Sequence, residues 1–406
     1  MNCRLCGGDA LATFVDLGMQ PLSNAYVNPG EADAPETFYP LHARVCERCL
    51  LVQLPALATP ESIFREYAYL SSMSKSWLAH CERYATTMIE RLSLGAKALV
   101  AEVASNDGYL LQYFKAAGVP VLGIEPAANI AKIAESRGIA TRPEFFGSKL
   151  ARALVEEGLR ADLLIGNNVL AHVPDLNDFI KGLGIFLAPR GVLTMEFPHL
   201  TRLIDGNQFD TIYHEHFSYF SLATASKAFE RHKLEVFDVE ELPTHGGSLR
   251  VHVGHEKAHE RRPSVSNLLA AEHEHRLDVI DGYRSFRPEV ERVKRALLRF
   301  LTDAKESGKR VVGYGAAAKG NTLLNYCGIR TDLLDFVVDV NPLKQGRLLP
   351  GSRIPILPVE AISENRPDFV LVLPWNLKAE IAAQLTFVRS WGAKLVLPIP
   401  KLDVVS

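Results

Sequence analysis

Two Cys-x-x-Cys pairs, Cys3/Cys6 and Cys46/Cys49, lie within the first fifty residues and take up four of the six cysteines. Each turn offers two thiolates to one ion, and two such turns complete the tetrahedral all-sulfur set that zinc prefers. With every position filled by sulfur there is no place for a catalytic water, so the ion is expected to be structural Zn2+. Gly7-Gly8 supplies the loose backbone a metal knuckle needs. A redox use would require a βαβ setting for the pairs. Cys81 and Cys327 stand alone and read as small apolar packing residues.

The second concentration of chemistry is Tyr213-His214-Glu215-His216. An imidazole, with an ordinary pKa of about 6.5, suits proton abstraction near neutrality, which makes His216 the candidate general base. Glu215 and Tyr213 offer a carboxylate and a phenol to orient the base or a substrate hydroxyl. In an extended segment His214 and His216 would share a face and could take a metal, but no third ligand of suitable spacing is visible. Phe209, Phe217, Tyr219 and Phe220 show that the same stretch also packs a core.

Two turns of small residues follow predicted strands. Glu102-Val103-Ala104-Ser105-Asn106-Asp107-Gly108 joins a strand to a helix with backbone amides open to a ligand, and Glu125 ends the next strand, placed to accept the ribose hydroxyls of an adenosine. The GxGxxG fingerprint is missing and Asp107 would repel a pyrophosphate, so the residues favour a cofactor that carries adenosine and a positive charge, which S-adenosylmethionine does. Asn167 and Asn168 lie at the same carboxyl edge. Phe145-Phe146 could pack on an adenine but reads more simply as core. The other turn, Gly313-Tyr314-Gly315-Ala316-Ala317-Ala318-Lys319-Gly320-Asn321, lacks the order of a Walker A loop; Tyr314, Lys319 and Asn321 are candidates for gripping a substrate diphosphate at a helix N-terminus. His245, in a Gly-Gly loop, and Arg250 after it are further substrate candidates.

The elements that must position these residues follow from periodicity. A helix is predicted over 74–91, then strands over 98–103, 121–124, 162–166 and 192–197 alternating with helices, closed by an antiparallel pair over 234–239 and 249–254. Residues 265–308 read as two long helices interrupted only by Pro288, a bridge to a second strand-helix series with strands over 311–313, 336–339, 369–373 and 395–398. The expected fold is α/β: an N-terminal zinc-binding module (1–73), a central Rossmann-like domain (74–260), and a helical linker with a smaller C-terminal Rossmann-like domain (261–406). At 406 residues, 47% hydrophobic and 23% charged, the composition is that of a globular enzyme. A net charge of -2 gives no overall field for nucleic acid or an anionic bilayer. No stretch reaches 18 apolar residues and the first residues lack an apolar run, so neither nucleic acid nor membrane is an expected partner and the cytoplasm is the expected location. Oligomeric state is not legible.

In the order and combination of these blocks the chain resembles the sugar C-methyltransferases that act on nucleotide-linked deoxysugars. The resemblance rests on the double Cys-x-x-Cys, the Glu102-to-Gly108 turn, Tyr213-His214-Glu215-His216-Phe217, His245-Gly246-Gly247-Ser248-Leu249-Arg250 and Gly313-to-Gly320. It implies a zinc-binding N-terminal domain, a class I methyltransferase core, a C-terminal Rossmann-like domain, and methyl transfer to C3 of a nucleotide-linked 4-keto sugar through an enolate. It also implies catalytic roles for Tyr213, Glu215 and His216, and for Tyr69 in the earlier Tyr-x-Tyr-x-Ser-Ser segment. Ala104 departs from the glycine common at that point of the cofactor turn. The same scaffold leaves open an O-methyltransferase, and other classes an NAD-dependent nucleotide-sugar oxidoreductase or a zinc-containing adaptor.

Overall fold

The computed structural model describes residues 1–57 and 70–405, so Tyr69 lies outside the described residues. Strands β1 (Leu11–Gln20) and β2 (Tyr39–Cys46) pair antiparallel from Leu11↔Cys46 to Gln20↔Tyr39, with β3 (Val52–Gln53) beside them. That register brings the N-terminal Cys-x-x-Cys turn alongside the one that follows β2.

The central sheet contains β4 (Val100–Val103), β5 (Val121–Ile124), β6 (Thr141–Arg142), β7 (Ala161–Asn167) and β8 (Leu187–Pro198). The chain then leaves it: β9 (Ser218–Tyr219) pairs with β3 and completes the N-terminal sheet in the order β1-β2-β3-β9. With β10 (Leu234–Leu242) and β11 (Ser248–His255), the central sheet runs β10-β11-β8-β7-β4-β5-β6, parallel except for β11 against β8 and β10 against β11. This is the expected Rossmann-like sheet with an antiparallel edge. Strands β4 and β7 are nearly continuous apolar runs because helices cover both faces.

The linker forms the helices Pro263–Glu274 and Phe286–Glu306. Pro288 does not interrupt the second helix; it sits in the first turn, where a missing N–H costs no helical hydrogen bond. The break falls earlier, around a 3-10 turn at Ile280–Tyr283. The long helix is a keel: Phe286 stacks on Phe14 of β1 with ring centroids 4.5 Å apart, and the same apolar cluster continues into the C-terminal domain through Leu301 and Val311. There β12 (Val311–Tyr314), β13 (Val337–Val338), β14 (Ile356–Leu357), β15 (Phe369–Val372), β16 (Lys394–Leu397) and β17 (Asp403–Val405) form a sheet of order β14-β13-β12-β15-β16-β17, with only β17 antiparallel. Among the described residues no helix is long and apolar enough to cross a membrane.

Candidate active site

The four predicted metal ligands converge. The sulfurs of Cys3, Cys6, Cys46 and Cys49 all lie within 4.8 Å of one another, with Cys3 and Cys49 3.5 Å apart and Cys6 and Cys46 3.6 Å apart. Zinc–sulfur bonds of about 2.3 Å put tetrahedral sulfurs roughly 3.8 Å apart, so the set fits one structural Zn2+. Gly7 adopts φ +76°, the left-handed backbone that glycine takes without strain at the end of the first knuckle. Among the described residues this is the sole cluster of three or more His, Cys, Asp or Glu side chains able to share an ion. The cysteines Cys81 and Cys327 are buried packing residues, as expected.

The predicted cofactor turn leaves β4 at the carboxyl edge. Ala104, Asn106 and Gly108 all adopt positive φ, +57°, +47° and +77°. At Ala104 glycine would be free of strain, which gives the departure from the family pattern a backbone meaning. Glu125 stands where expected, at the end of β5, and ties the turn to its neighbour: Oε2 accepts from the Asn106 N–H at 3.0 Å and Oε1 from the Ala127 N–H at 2.9 Å. Glu102 is fully buried beneath the turn beside Tyr109, and burial holds its carboxyl well above the ordinary range. Asp107 corrects the sequence reading. It is fully buried, bonded to Ser72 and paired with Arg137 at 2.9 Å, so its charge is neutralised and would not repel a pyrophosphate. Asn106 Oδ1 accepts from the Ser71 N–H, anchoring the segment that leads into the helix Lys75–Leu92. Asn167 and Asn168 lie at the same edge, where Asn168 Nδ2 approaches His245 Nε2 at 3.2 Å. Phe146 packs on Phe179 and Phe186, in the core, whereas Phe145 is exposed.

Tyr213–His216 forms a turn, closed by the His216 N–H on the Tyr213 carbonyl at 2.9 Å. The turn separates the two histidines. His214 packs edge-on against Tyr39 of β2, and His216 lies 4.1 Å from the Tyr213 ring and 4.7 Å from the His172 ring, so the shared face of an extended segment is not formed. His216 Nδ1 donates to the Thr211 carbonyl at 3.0 Å, which leaves Nε2 as the nitrogen able to accept a proton. Burial, then the neighbouring His172, holds the His216 imidazole well below its ordinary value and therefore neutral at pH 7. Glu215 is buried, accepts from Asn24 Nδ2 at 2.7 Å, and is pushed up by burial.

The C-terminal domain contributes Lys319 and Trp375. Lys319 Nζ lies 5.1 Å from the Trp375 ring centroid and 3.3 Å from Asn376 Oδ1; Trp375 Nε1 donates to Asp210 Oδ2 at 2.7 Å. Asp210 is fully buried and pushed up to about 6 by that burial against the opposing pull of Lys319. Lys319 thus turns toward Asp210 and the Tyr213–His216 turn rather than outward. His245, at φ +55° in its loop, faces the ring of Trp77 at 5.5 Å; its imidazole is held below its ordinary value by the surrounding protein and then by the Lys319 charge.

Three substrate candidates have their side chains bonded to protein. Arg250 stands opposite Glu196 on β8 and Glu240 on β10, and its guanidinium donates to Glu196 at 2.7 Å while lying 4.4 Å over the Tyr84 ring. Cross-strand pairing engages both of its Nη atoms inside the sheet. Tyr314 points into the apolar core of the C-terminal domain and donates to Gln384 at 2.6 Å. Asn321 is buried on its helix, where Oδ1 accepts from Asn325 at 3.2 Å. The glycine-rich turn itself is occupied by protein: the Ala316 N–H donates to Asp339, and its carbonyl accepts from Tyr26 and Lys344.

The sequence did not single out Glu196, His80 (3.0 Å from Glu196), Trp77, Asp210, His172 and Asn24, which contact the candidate residues or their partners. For Glu196 a signal existed, a carboxylate at the carboxyl end of a buried strand. The others sit in helices and loops whose neighbours lie far away in sequence.

Three family descriptions match the chain in series: a putative zinc binding domain over residues 3–64, a methyltransferase domain over 77–239, and a C-methyltransferase C-terminal domain over 243–400. The protein named C-methyltransferase NovU, from Streptomyces niveus, is 37% identical over 406 residues, spanning 100% of this chain and 97% of that protein. Among solved structures, an S-adenosylmethionine-dependent methyltransferase from Clostridium acetobutylicum ATCC 824 is 12% identical, covers 44% of this chain and 92% of its own, and gives a TM-score of 0.36. Magnesium protoporphyrin IX methyltransferase from Synechocystis PCC 6803 is 15% identical over 43% of this chain and 82% of its own, with a TM-score of 0.35.

Proposed function

The chain belongs to the S-adenosylmethionine-dependent C-methyltransferases, and from that premise we propose that it methylates C3 of a nucleoside-diphosphate-linked (dTDP) 4-keto-deoxysugar by way of an enolate, with His216 as the base. Bound S-adenosylmethionine supplies an electrophilic methyl on a sulfonium. The residues that would hold it are the Ala104-to-Gly108 turn, Glu125 for the ribose hydroxyls, and Asn167 with Asn168.

The observation that carries the reading is the 3.0 Å contact between His216 Nδ1 and the Thr211 carbonyl, an acceptor that requires the proton on Nδ1. With Nδ1–H committed to the Thr211 carbonyl, the Nε2 lone pair takes the proton from C3, and the electrons of that C–H bond pass into the C3–C4 bond and onto the C4 oxygen. Burial keeps the imidazole unprotonated in the resting enzyme. Lys319, the cation whose field reaches His216, favours negative charge on the bound substrate. Tyr213 and Glu215 flank the base and orient sugar hydroxyls. The buried turn at Ala316 is engaged by Tyr26, Lys344 and Asp339, which argues against its gripping the diphosphate.

The test is deuterium exchange at the sugar C3 in D2O with S-adenosylhomocysteine bound, followed by turnover by mass spectrometry on thymidine-, guanosine- and cytidine-linked keto-sugars. Wild-type protein exchanges the C3 hydrogen and His216→Asn does not. Methylation without any C3 exchange, or full turnover by His216→Asn, removes the reading.

A further inference from the structure

The first zinc turn reaches well beyond its ion. Arg4 stands between Cys3 and Cys6, so its backbone is fixed when those two thiolates share a metal. Its N–H donates to Gln53 Oε1 at 3.0 Å, its Nη1 to the Pro174 carbonyl at 2.9 Å and its Nη2 to the Leu54 carbonyl, while the guanidinium lies 5.4 Å from the Phe217 ring centroid.

Leu54, Gln53 and Phe217 lead to the turn that carries His216, and Pro174 lies two residues beyond His172. The Leu54 N–H donates to the Phe217 carbonyl at 3.0 Å, and Gln53 pairs with Ser218 across β3 and β9. The Phe217 N–H donates to the Ala171 carbonyl at 2.6 Å. Phe217 follows His216 directly, and Ala171 precedes His172, whose ring meets His216 edge-on at 4.7 Å. An unbroken line of contacts therefore runs from the sulfur cluster to the base.

We infer that Arg4 is a positioning residue: the zinc turn presents its guanidinium so that it clamps Leu54, Pro174 and Phe217 and thereby sets the orientation of the His216 imidazole. The planar fork matters, because its two arms reach two carbonyls on different segments at once and a lysine ammonium on a flexible stem does not. The inference rests on His216 being the base.

The experiment compares the full-length zinc-loaded wild type with Arg4→Met, Arg4→Lys and His216→Asn. Four quantities are read: zinc content, S-adenosylhomocysteine affinity by calorimetry, the pH profile of C3 exchange on a dTDP-linked 4-keto-deoxysugar, and KM against kcat. Both Arg4 variants should keep their zinc and bind S-adenosylhomocysteine within twofold of wild type, while exchange and kcat fall roughly ten- to hundredfold, the cost expected from misplacing a reacting group by about 1 Å. The acid limb of exchange should shift, with KM little changed. Exchange within twofold of wild type overturns the inference, as does a loss of S-adenosylhomocysteine affinity as large as the loss of exchange. If Arg4→Met does not fold, Arg4→Lys decides by the same criteria. An inactive His216→Asn beside unaffected Arg4 variants overturns this inference alone; a His216→Asn that still exchanges overturns the base assignment and this inference with it.

Discussion

Glu196 Oε2 and Arg250 Nη2 meet at 2.7 Å, directly opposite one another on paired strands, with 0% and 6% of their surfaces exposed. His80 and Thr244 complete the ring of polar contacts around the carboxylate. Removing one member of such a buried pair strands the other charge, at a cost of about 3–5 kcal/mol. Glu196→Ala should lose that much in urea unfolding at pH 7, and Glu196→Ala/Arg250→Met should lose less than the sum of the single variants. Strictly additive losses would show that the two side chains are not coupled.

The same carboxylate sets a pH dependence. Burial by itself would raise Glu196, but the His80 hydrogen bond, the Arg250 charge and the Thr244 hydroxyl outweigh it and hold the group at about 2. A folded value below the ordinary 4.5 means the contribution is fully present above about pH 4.5 and fades as pH falls toward 2. It amounts to roughly 3 kcal/mol by the 1.36 kcal/mol per unit rule. Urea midpoints measured from pH 6 to pH 3 should therefore fall more steeply for wild type than for Glu196→Gln.

Activity should respond to a different group. Because His216 is depressed by burial and by His172, its neutral, proton-accepting form persists to lower pH than that of a free histidine. The acid limb of kcat/KM should lie below pH 6.5, the ordinary histidine value. A limb at or above that pH, still present in Glu215→Gln, would assign the base elsewhere.

Ala104 holds a left-handed backbone, φ +57°, at the start of the cofactor turn. A non-glycine residue there carries about 1–2 kcal/mol of strain, partly offset by the lower chain entropy of alanine in the unfolded state. Ala104→Gly should raise the unfolding free energy by about 0.5–1 kcal/mol without weakening S-adenosylhomocysteine binding. A destabilised variant would mean that the alanine methyl packs usefully.

Zinc removal should be felt across the molecule. The cysteine set anchors β2, β3 and, through β9, the segment that follows the Tyr213–His216 turn. Cys46→Ser should lower zinc content below stoichiometric on metal analysis and lower Tm, and a chelator should reproduce the drop in the wild type. Retained zinc in Cys46→Ser would remove that sulfur from the ligand set.

The comparison of sequence with structure divides by the range of the interaction. The cysteine set, the strand-helix rhythm of both Rossmann-like domains and the two turns of small residues are local: ligand spacing, side-chain period and backbone permissiveness are properties of a few consecutive residues. The place of Glu125 is legible for the same reason, at the end of a strand about twenty residues beyond the first turn. Pro288 was misplaced because a proline reads as a break unless the helix start is known, and that start depends on how Phe286 packs against Phe14.

The amino-acid sequence alone thus determined the metal-ligand set and the α/β architecture, and it supplied the residues on which the proposed cofactor and catalytic roles rest. Tertiary structure alone decided which way side chains face and what they meet. A two-residue period states that Arg250 and Tyr314 alternate with their neighbours but not which face looks onto the site, and pairing across β8, β10 and β12 turned both of them inward. The contact of Trp375 with Asp210 joins residues 165 positions apart, and that of Arg4 with Pro174 joins residues 170 apart. No local pattern encodes such meetings, because they are fixed by how loops and helices of separate domains come together.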